Sequence, residues 1–423
     1  MRFTYYSNYF FWILFLVFFS SSYVFFRSPF EFYFHYLIFL ILFPLLLLKF
    51  GIPKFYFKVF SLPLIVGIVY LIFENNLPFT FIKVFGGLSL TILFFYYVIV
   101  FFEFDLFKLF EFYCNCCWII VIIAILQVFF YLLNFEPGFN FNWIFNKWGF
   151  VKGGIVGFRV NSILSEPTFL ATSISPAVYV SVKNIISKQN FIYNKIQSVL
   201  ILLTAVFTTS TIGFLGILLS VLLVTKTIRL RYVVIAFFIS LAGFSVAYKN
   251  VIDFKSRVDA AKGLWFENDF RIRNTNNSSF VLYNNLHIAK ESLKKYPIFG
   301  TGLGSHESAF KKFTLTKSLI QYDFEFNIKD GNSLFIRLCT ETGLVGLSFV
   351  ILLIIRGFIY KVDEQNNILL KREIISQSIF VLLILVLIRQ GNYMLNGLPF
   401  LFLLYYYNGV QYKNELSNLN TDD

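Results

Sequence analysis

The stretch FTFIKVFGGLSLTILFFYYVIVFF, residues 79–102, holds one charged side chain, Lys83. About 20 mostly apolar residues in a helix cross the hydrocarbon core of a bilayer. Backbone N–H and C=O groups find no water there and must pair within the segment, so the stretch reads as a transmembrane helix. Lys83 lies near one end, where its long side chain reaches the interface. The same ruler laid along the chain finds about twelve runs. They are 9–26, 32–48, 59–73, 79–102, 116–135, 167–182, 196–210, 212–225, 232–247, 333–355, 373–389 and 393–408.

Composition agrees. The 423 residues are 57% hydrophobic and 14% charged, with a mean hydropathy of +0.71. A soluble domain carries about 25% charged residues, so this chain lacks the water-facing surface of one. A soluble enzyme, a disordered chain and a nucleic-acid binder are excluded. The expected fold is all-α: a single polytopic membrane domain over 1–423 with about twelve transmembrane helices. The first run lacks a small-residue cleavage site and is long for the apolar core of a signal peptide, so it is expected to stay. Cys114, Cys116 and Cys117 sit at the predicted edge of the fifth run. They have no His or second Cys pair nearby and read as small apolar packing residues.

Orientation follows the short-loop lysines and arginines. One set of alternate connections holds Arg2, Lys49, Lys54, Lys58, Lys108, Lys183, Lys188, Lys195, Lys226, Arg229, Arg231, Arg356, Lys361, Lys371, Arg372 and Lys413. The other short connections hold Arg27, Lys147, Lys152, Arg159 and Arg389. The rich side is expected to be cytoplasmic, with both termini inside. Two longer connections then face outward. One is 136–166. The other is 248–332, between the ninth and tenth helices, and is basic. Long loops translocate regardless of charge.

Four segments carry the candidate chemistry. The first runs from Gly157 through Arg159 and Ser165 to Glu166, Pro167 and Thr168. Pro167 suits a first helical turn, and Glu166 beside it reads as a cap or a base. Arg159 at the outer membrane face matches the bidentate geometry of a phosphate. The second, Asn276 to Lys295, repeats Leu282, Leu286, Ala289 and Leu293 at helical spacing. It is expected to be an amphipathic helix on the membrane surface, preceded by Arg271 and Arg273. The third, Pro297 to His306, contains Gly300, Gly302 and Gly304, whose backbone can approach an anion or another chain closely. It follows no strand, which rejects a dinucleotide fold. The fourth holds Asp330, Gly331, Asn332, Arg337 and Glu341. Arg337 and Glu341 are four apart and can pair on one helix face.

Together these segments resemble the O-antigen polymerase and O-antigen ligase family of bacterial inner-membrane glycosyltransferases. The matching pieces are Ser165 to Ala171, Pro297 to Gly304, Asn332 to Phe335 and Glu341 to Gly346, with the large late external loop. Thr208 to Thr211 is similar to a further family segment in which Ser-Arg is frequent, but it lacks the Arg. The resemblance implies a polymerase of undecaprenyl-diphosphate-linked repeat units at the outer face of the inner membrane. It implies a lipid-linked glycan donor and acceptor and no cofactor or metal. Membrane lipids, a chain-length regulator and a flippase are the implied partners.

By this resemblance Arg159 and either Arg271 or Arg273 hold the diphosphate; because a carboxylate can take a proton or orient a hydroxyl, Glu166 or Asp330 is expected to serve the attacking hydroxyl. His306, Asn332, Arg337 and the glycines Gly300, Gly302 and Gly304 are expected at the substrate. Family ligases carry a His where this chain has Gly331, which favours a polymerase over a ligase. A lipid-linked-oligosaccharide flippase predicts charges along a central path through the spans; here they concentrate outside.

Overall fold

The computed structural model describes residues 2–28, 31–225, 245, 248–249, 252–267, 277–317, 326–362, 366–394 and 397–419. Seventeen α-helices are found among them. The ninth expected run, 232–247, lies outside the described residues apart from Ser245. Arg271 and Arg273 also lie outside them.

Among the described residues, three helices are long and apolar enough to cross a membrane: α3 (Lys54–Ile72), α4 (Pro78–Phe101) and α5 (Leu106–Leu132). A bent pair, α7 (Pro167–Ser173) and α8 (Ser175–Ser187), makes a fourth if it counts as one span. Other expected runs are shorter apolar helices: the Phe10–Phe19 part of α1 (Arg2–Phe19), α2 (Phe34–Phe50), α9 (Lys195–Phe207) and α10 (Thr211–Val224). The described helices therefore fall short of twelve full-length spans.

The chain divides into two compact units. The first comprises 1–64, 82–224 and 348–423. In it α8 packs on α9, on α10 and on α16 (Asn367–Arg389), and α16 packs on α17 (Leu398–Leu419). The break between α7 and α8 has a local cause. Pro176 sits in the first turn of α8, where a missing N–H is harmless, and it cannot continue a preceding helix. The Thr172 carbonyl, which Pro176 cannot bond, accepts from Ser175 Oγ at 2.7 Å, and the next carbonyl, of Ser173, accepts from the Tyr113 hydroxyl at 2.9 Å, so both are satisfied inside an apolar core.

Three expectations are corrected in this unit. The first helix stops at Phe19; Val24–Phe26 (β1) pairs antiparallel with Phe32–Tyr33 (β2), a small exception to the all-α reading. Three consecutive serines, Ser20 to Ser22, interrupt the apolar run there. Next, α5 begins ten residues before the expected edge, capped by Asp105, which accepts from the Lys108 N–H at 3.1 Å. Lys108 and Glu111 misplaced that edge, because Lys108 rests its ammonium over the rings of Phe102 and Phe112. Finally, Cys114, Cys116 and Cys117 are consequently buried within the helix and not at its boundary.

The second unit comprises 65–81 and 225–347. Its described helices include α11 (Ile252–Phe266), α12 (Asn277–Lys295), α13 (His306–Phe313) and α14 (Leu334–Glu341); α12 packs on both α13 and α14. The amphipathic helix expected over 276–295 is α12. Its inner face differs from the expected leucine stripe: Phe280, Val281, Asn284, Asn285, Ile288, Ala289 and Ser292 are buried, whereas Leu286 is 38% exposed. Polar partners from distant segments draw the two asparagines inward. Asn284 Nδ2 donates to Thr314 Oγ1 at 3.1 Å, and the Asn284 side-chain oxygen accepts from the Leu315 N–H at 2.9 Å.

Candidate functional site

In the first unit the 149–166 segment is held by buried polar side chains. Gln127 Oε1 accepts from the Ser162 N–H at 3.0 Å, and its Nε2 donates to the Phe139 carbonyl at 2.9 Å. Asn161 Nδ2 donates to the Leu164 and Gly149 carbonyls, and Trp148 Nε1 donates to the Ser162 carbonyl at 2.8 Å. Each such bond contributes about 1 kcal/mol net, and more is lost when a buried partner is orphaned. The loop is anchored again farther out, where Lys147 meets Glu31 at 2.6 Å and Arg27 donates to the Asn146 carbonyl at 2.7 Å.

This frame presents Arg159 and Glu166. The Arg159 N–H donates to the Val151 carbonyl at 2.9 Å, and its Nε donates to the Thr208 carbonyl at 3.2 Å. That carbonyl precedes α10, in the Thr208 to Thr211 segment. Glu166 is exposed at the N-cap position of α7, with Pro167 next, but its side chain makes no capping bond. Arg389, the last residue of α16, feels the charges of both Glu166 and Arg159. From the sequence, Arg389 counts only among the charges of the short outward connections. Its tie to Arg159 and Glu166 spans over 200 positions and leaves no local signal.

In the second unit His306 is fully buried at the start of α13. Asn285 Nδ2 donates to the carbonyls of Val281 at 2.9 Å and Phe326 at 3.1 Å, so its oxygen faces His306 Nε2, 3.1 Å away. An amide oxygen only accepts, so Nε2 carries the proton. Nδ1 is then the acceptor for Thr340 Oγ1 at 3.0 Å. The ring thus ties α12, α13 and α14 together. Sequence reading missed Asn285 and Thr340; two adjacent asparagines inside an amphipathic helix were the available signal.

Burial, with the nearby Arg337 charge, lowers the His306 pKa from its ordinary 6.5 to about 3. The unfolded chain therefore binds the proton more readily than the folded one. Stability from this site is complete above pH 6.5 and is lost as pH falls toward 3, by about 1.4 kcal/mol per pH unit. Thermal unfolding of the purified protein between pH 7.5 and 4.5 is expected to show this acid limb. In His306→Gln the slope should flatten; an identical slope would remove the histidine from the account.

Arg337 and Glu341 pair as the spacing required, Nε to Oε1 at 2.8 Å, both buried. Asp330 Oδ1 accepts from Asn327 Nδ2 and from the Asn332 N–H, both at 3.0 Å. Gly331 lies against the imidazole: a Cβ there would stand 3.0 Å from Cε1 and Nε2 of His306. The glycine run closes on chain and not on open space. Gly300, Gly302 and Gly304 all have positive φ, and a Cβ on Gly300 would lie 2.6 Å from the Glu341 backbone. Two amides of the run are already bonded, Thr301 to the Thr340 carbonyl and Gly302 to the Glu341 carbonyl at 2.8 Å.

The expected site residues thus form two groups. Arg159 and Glu166 join Arg389 in the first unit. His306, Gly300, Gly302, Gly304, Asp330, Asn332 and Arg337 belong to the second, with His306 beside Gly331 and near Arg337. No protein-family model matches the chain, and no curated sequence matches it.

Proposed function

We propose that this protein is an inner-membrane glycosyltransferase that polymerises undecaprenyl-diphosphate-linked oligosaccharide repeat units. In this reading it is a metal-independent polytopic enzyme of about twelve spans, with both termini in the cytoplasm and the 136–166 and 248–332 loops outside. The observation that carries the reading is the pair of charges Arg159 and Glu166 on a braced loop beside a broken apolar helix, both within electrostatic reach of Arg389 at the end of α16. The leaving group of such a transfer is a lipid diphosphate, and fixed guanidiniums offset the charge that develops on it. An acceptor sugar hydroxyl attacks the anomeric carbon, the bond to the diphosphate oxygen breaks, and the hydroxyl proton passes to a carboxylate. Glu166, exposed next to the arginines, is the base in this scheme.

A ligase reading draws on a histidine before Asn332. This chain has Gly331 there, and His306 beside it has both nitrogens engaged, which supports polymerisation instead. The test is reconstitution of the purified protein in vesicles with lipid-linked repeat units. Glycans longer than one repeat are expected. Relocation of the lipid-linked unit across the bilayer without elongation would replace this reading with transport.

A further inference from the structure

The border between the two units falls inside two helices: between Leu64 and Ile65 in α3, and between Phe81 and Ile82 in α4. The ends of α3 and α4 nearest their shared turn therefore belong with residues 225–347. Contacts within the second unit hold them there. Asn75 Oδ1 accepts from the Tyr296 hydroxyl at 3.0 Å and from Lys312 Nζ at 2.6 Å. Asn76 Nδ2 donates to the Leu303 carbonyl at 3.0 Å, and the Tyr70 ring meets the Tyr296 ring edge-on, with centroids 5.6 Å apart. Glycine lets the backbones touch: a Cβ on Gly302 would stand 3.0 Å from Gly67 Cα, and one on Gly304 would stand 2.8 Å from the Thr80 carbonyl oxygen.

Both helices are weak close to the border. Pro63, inside α3, has no N–H for the Val59 carbonyl, and a proline within a helix is a common point of bending. Helix α4 carries Gly86 and Gly87. The hydroxyls of Ser89 and Thr91 donate to the carbonyls of those glycines at 3.1 and 2.6 Å, which loosens the helical ladder further. At about 1.5 Å per residue, Pro63 and Gly86 each lie about 12–14 Å from the end of their helix at the turn. Two weak points at one depth make an elbow; at unequal depths each helix would brace the other. Helix α3 is also the least buried of the three long spans. We propose that Pro63 and the Gly86–Gly87 pair form a paired hinge, about which the second unit swings as one body with the end of the α3–α4 hairpin, and that this swing accompanies each turnover. It rests on the glycosyltransferase reading for what is turned over, not for the motion.

The test uses the full chain in phosphatidylcholine nanodiscs with nitroxide labels on introduced cysteines; the native Cys114, Cys116, Cys117 and Cys339 are buried. Glu74→Cys with Glu136→Cys reports the swing, and Glu74→Cys with Lys294→Cys reports the second unit alone; all three positions are exposed. Pulsed electron paramagnetic resonance should give a broad distance distribution for the first pair and a narrow one for the second. Pro63→Ala and Gly86→Ala each restore helix propensity, and open space surrounds Gly86. Combined, they should narrow the first distribution by about half, leave the second unchanged and slow glycan elongation at least about threefold. The unfolding temperature should hold or rise, so a merely structural role, in which activity falls only with stability, is separated. Asn76→Ala cuts the clamp and spares the hinge, and should broaden the second pair; Gly86→Ala alone and Asn76→Ala carry the test if the combined variant fails to fold. A first distribution already narrow in wild type, or one of unchanged width in the stiffened variants, overturns the hinge. Narrowing with undiminished elongation overturns its link to turnover. Narrowing in a protein whose wild type elongates nothing keeps the hinge and overturns the glycosyltransferase reading.

Discussion

Arg159→Ala is expected to lower polymer formation by at least about 10²-fold, the usual consequence of removing one fixed donor to a developing negative charge. Protein level in the membrane should stay near wild type. The Nε of this side chain bonds the Thr208 carbonyl, and the residue is half-buried. Losing one such bond costs about 1 kcal/mol, against about 5–15 kcal/mol of total stability. Fold loss and chemical loss are therefore separable. Arg159→Lys sharpens the point: a lysine keeps the charge but not the bidentate fork, so partial activity is expected. The measurement is the glycan ladder from proteoliposomes, normalised to the amount of tagged protein. A normal ladder from Arg159→Ala would reject the glycosyltransferase assignment outright.

The length and apolarity of runs such as 79–102 were legible directly, because a bilayer imposes them on single segments. The observed α4, Pro78–Phe101, differs from that reading by one residue at each end. The α12 bounds were nearly as legible, and so was the Arg337–Glu341 pair, since both rest on helical spacing. What escaped depends on partners far along the chain. The inner face of α12 is set by Thr314, Leu315, Phe326 and His306, which bond Asn284 and Asn285. The start of α5 escaped because an amphipathic lysine lay flat on aromatic rings where charge had been read as loop. Arg389 escaped because a charge at a helix end looks the same in sequence whether or not distant charges such as Glu166 and Arg159 act on it. The glycine run shows a third kind of limit. Positive φ was predictable from glycine itself, but not whether its amides would face an anion or the backbone near Thr340 and Glu341.

Glu341→Ala is expected to destabilise the protein by about 3–5 kcal/mol, because it strands the buried Arg337 guanidinium without its counter-charge. Both side chains are almost wholly buried, at 6% and 0% exposure, so water cannot take over the lost partner. The loss should exceed that of any single hydrogen bond in the 149–166 loop. Thermal unfolding in detergent at neutral pH measures it. The double variant Arg337→Met with Glu341→Leu should regain most of the stability, since an apolar pair of similar volume often replaces a buried ion pair at no cost. That variant also separates two roles for Arg337. A stable double variant that still elongates glycans makes the pair a scaffold element that fixes α14 beneath His306. A stable double variant without elongation places the Arg337 charge at the substrate. The acid limb reports on the same residue independently: with the Arg337 charge removed, the His306 pKa should rise toward its ordinary value, and stability should persist to lower pH.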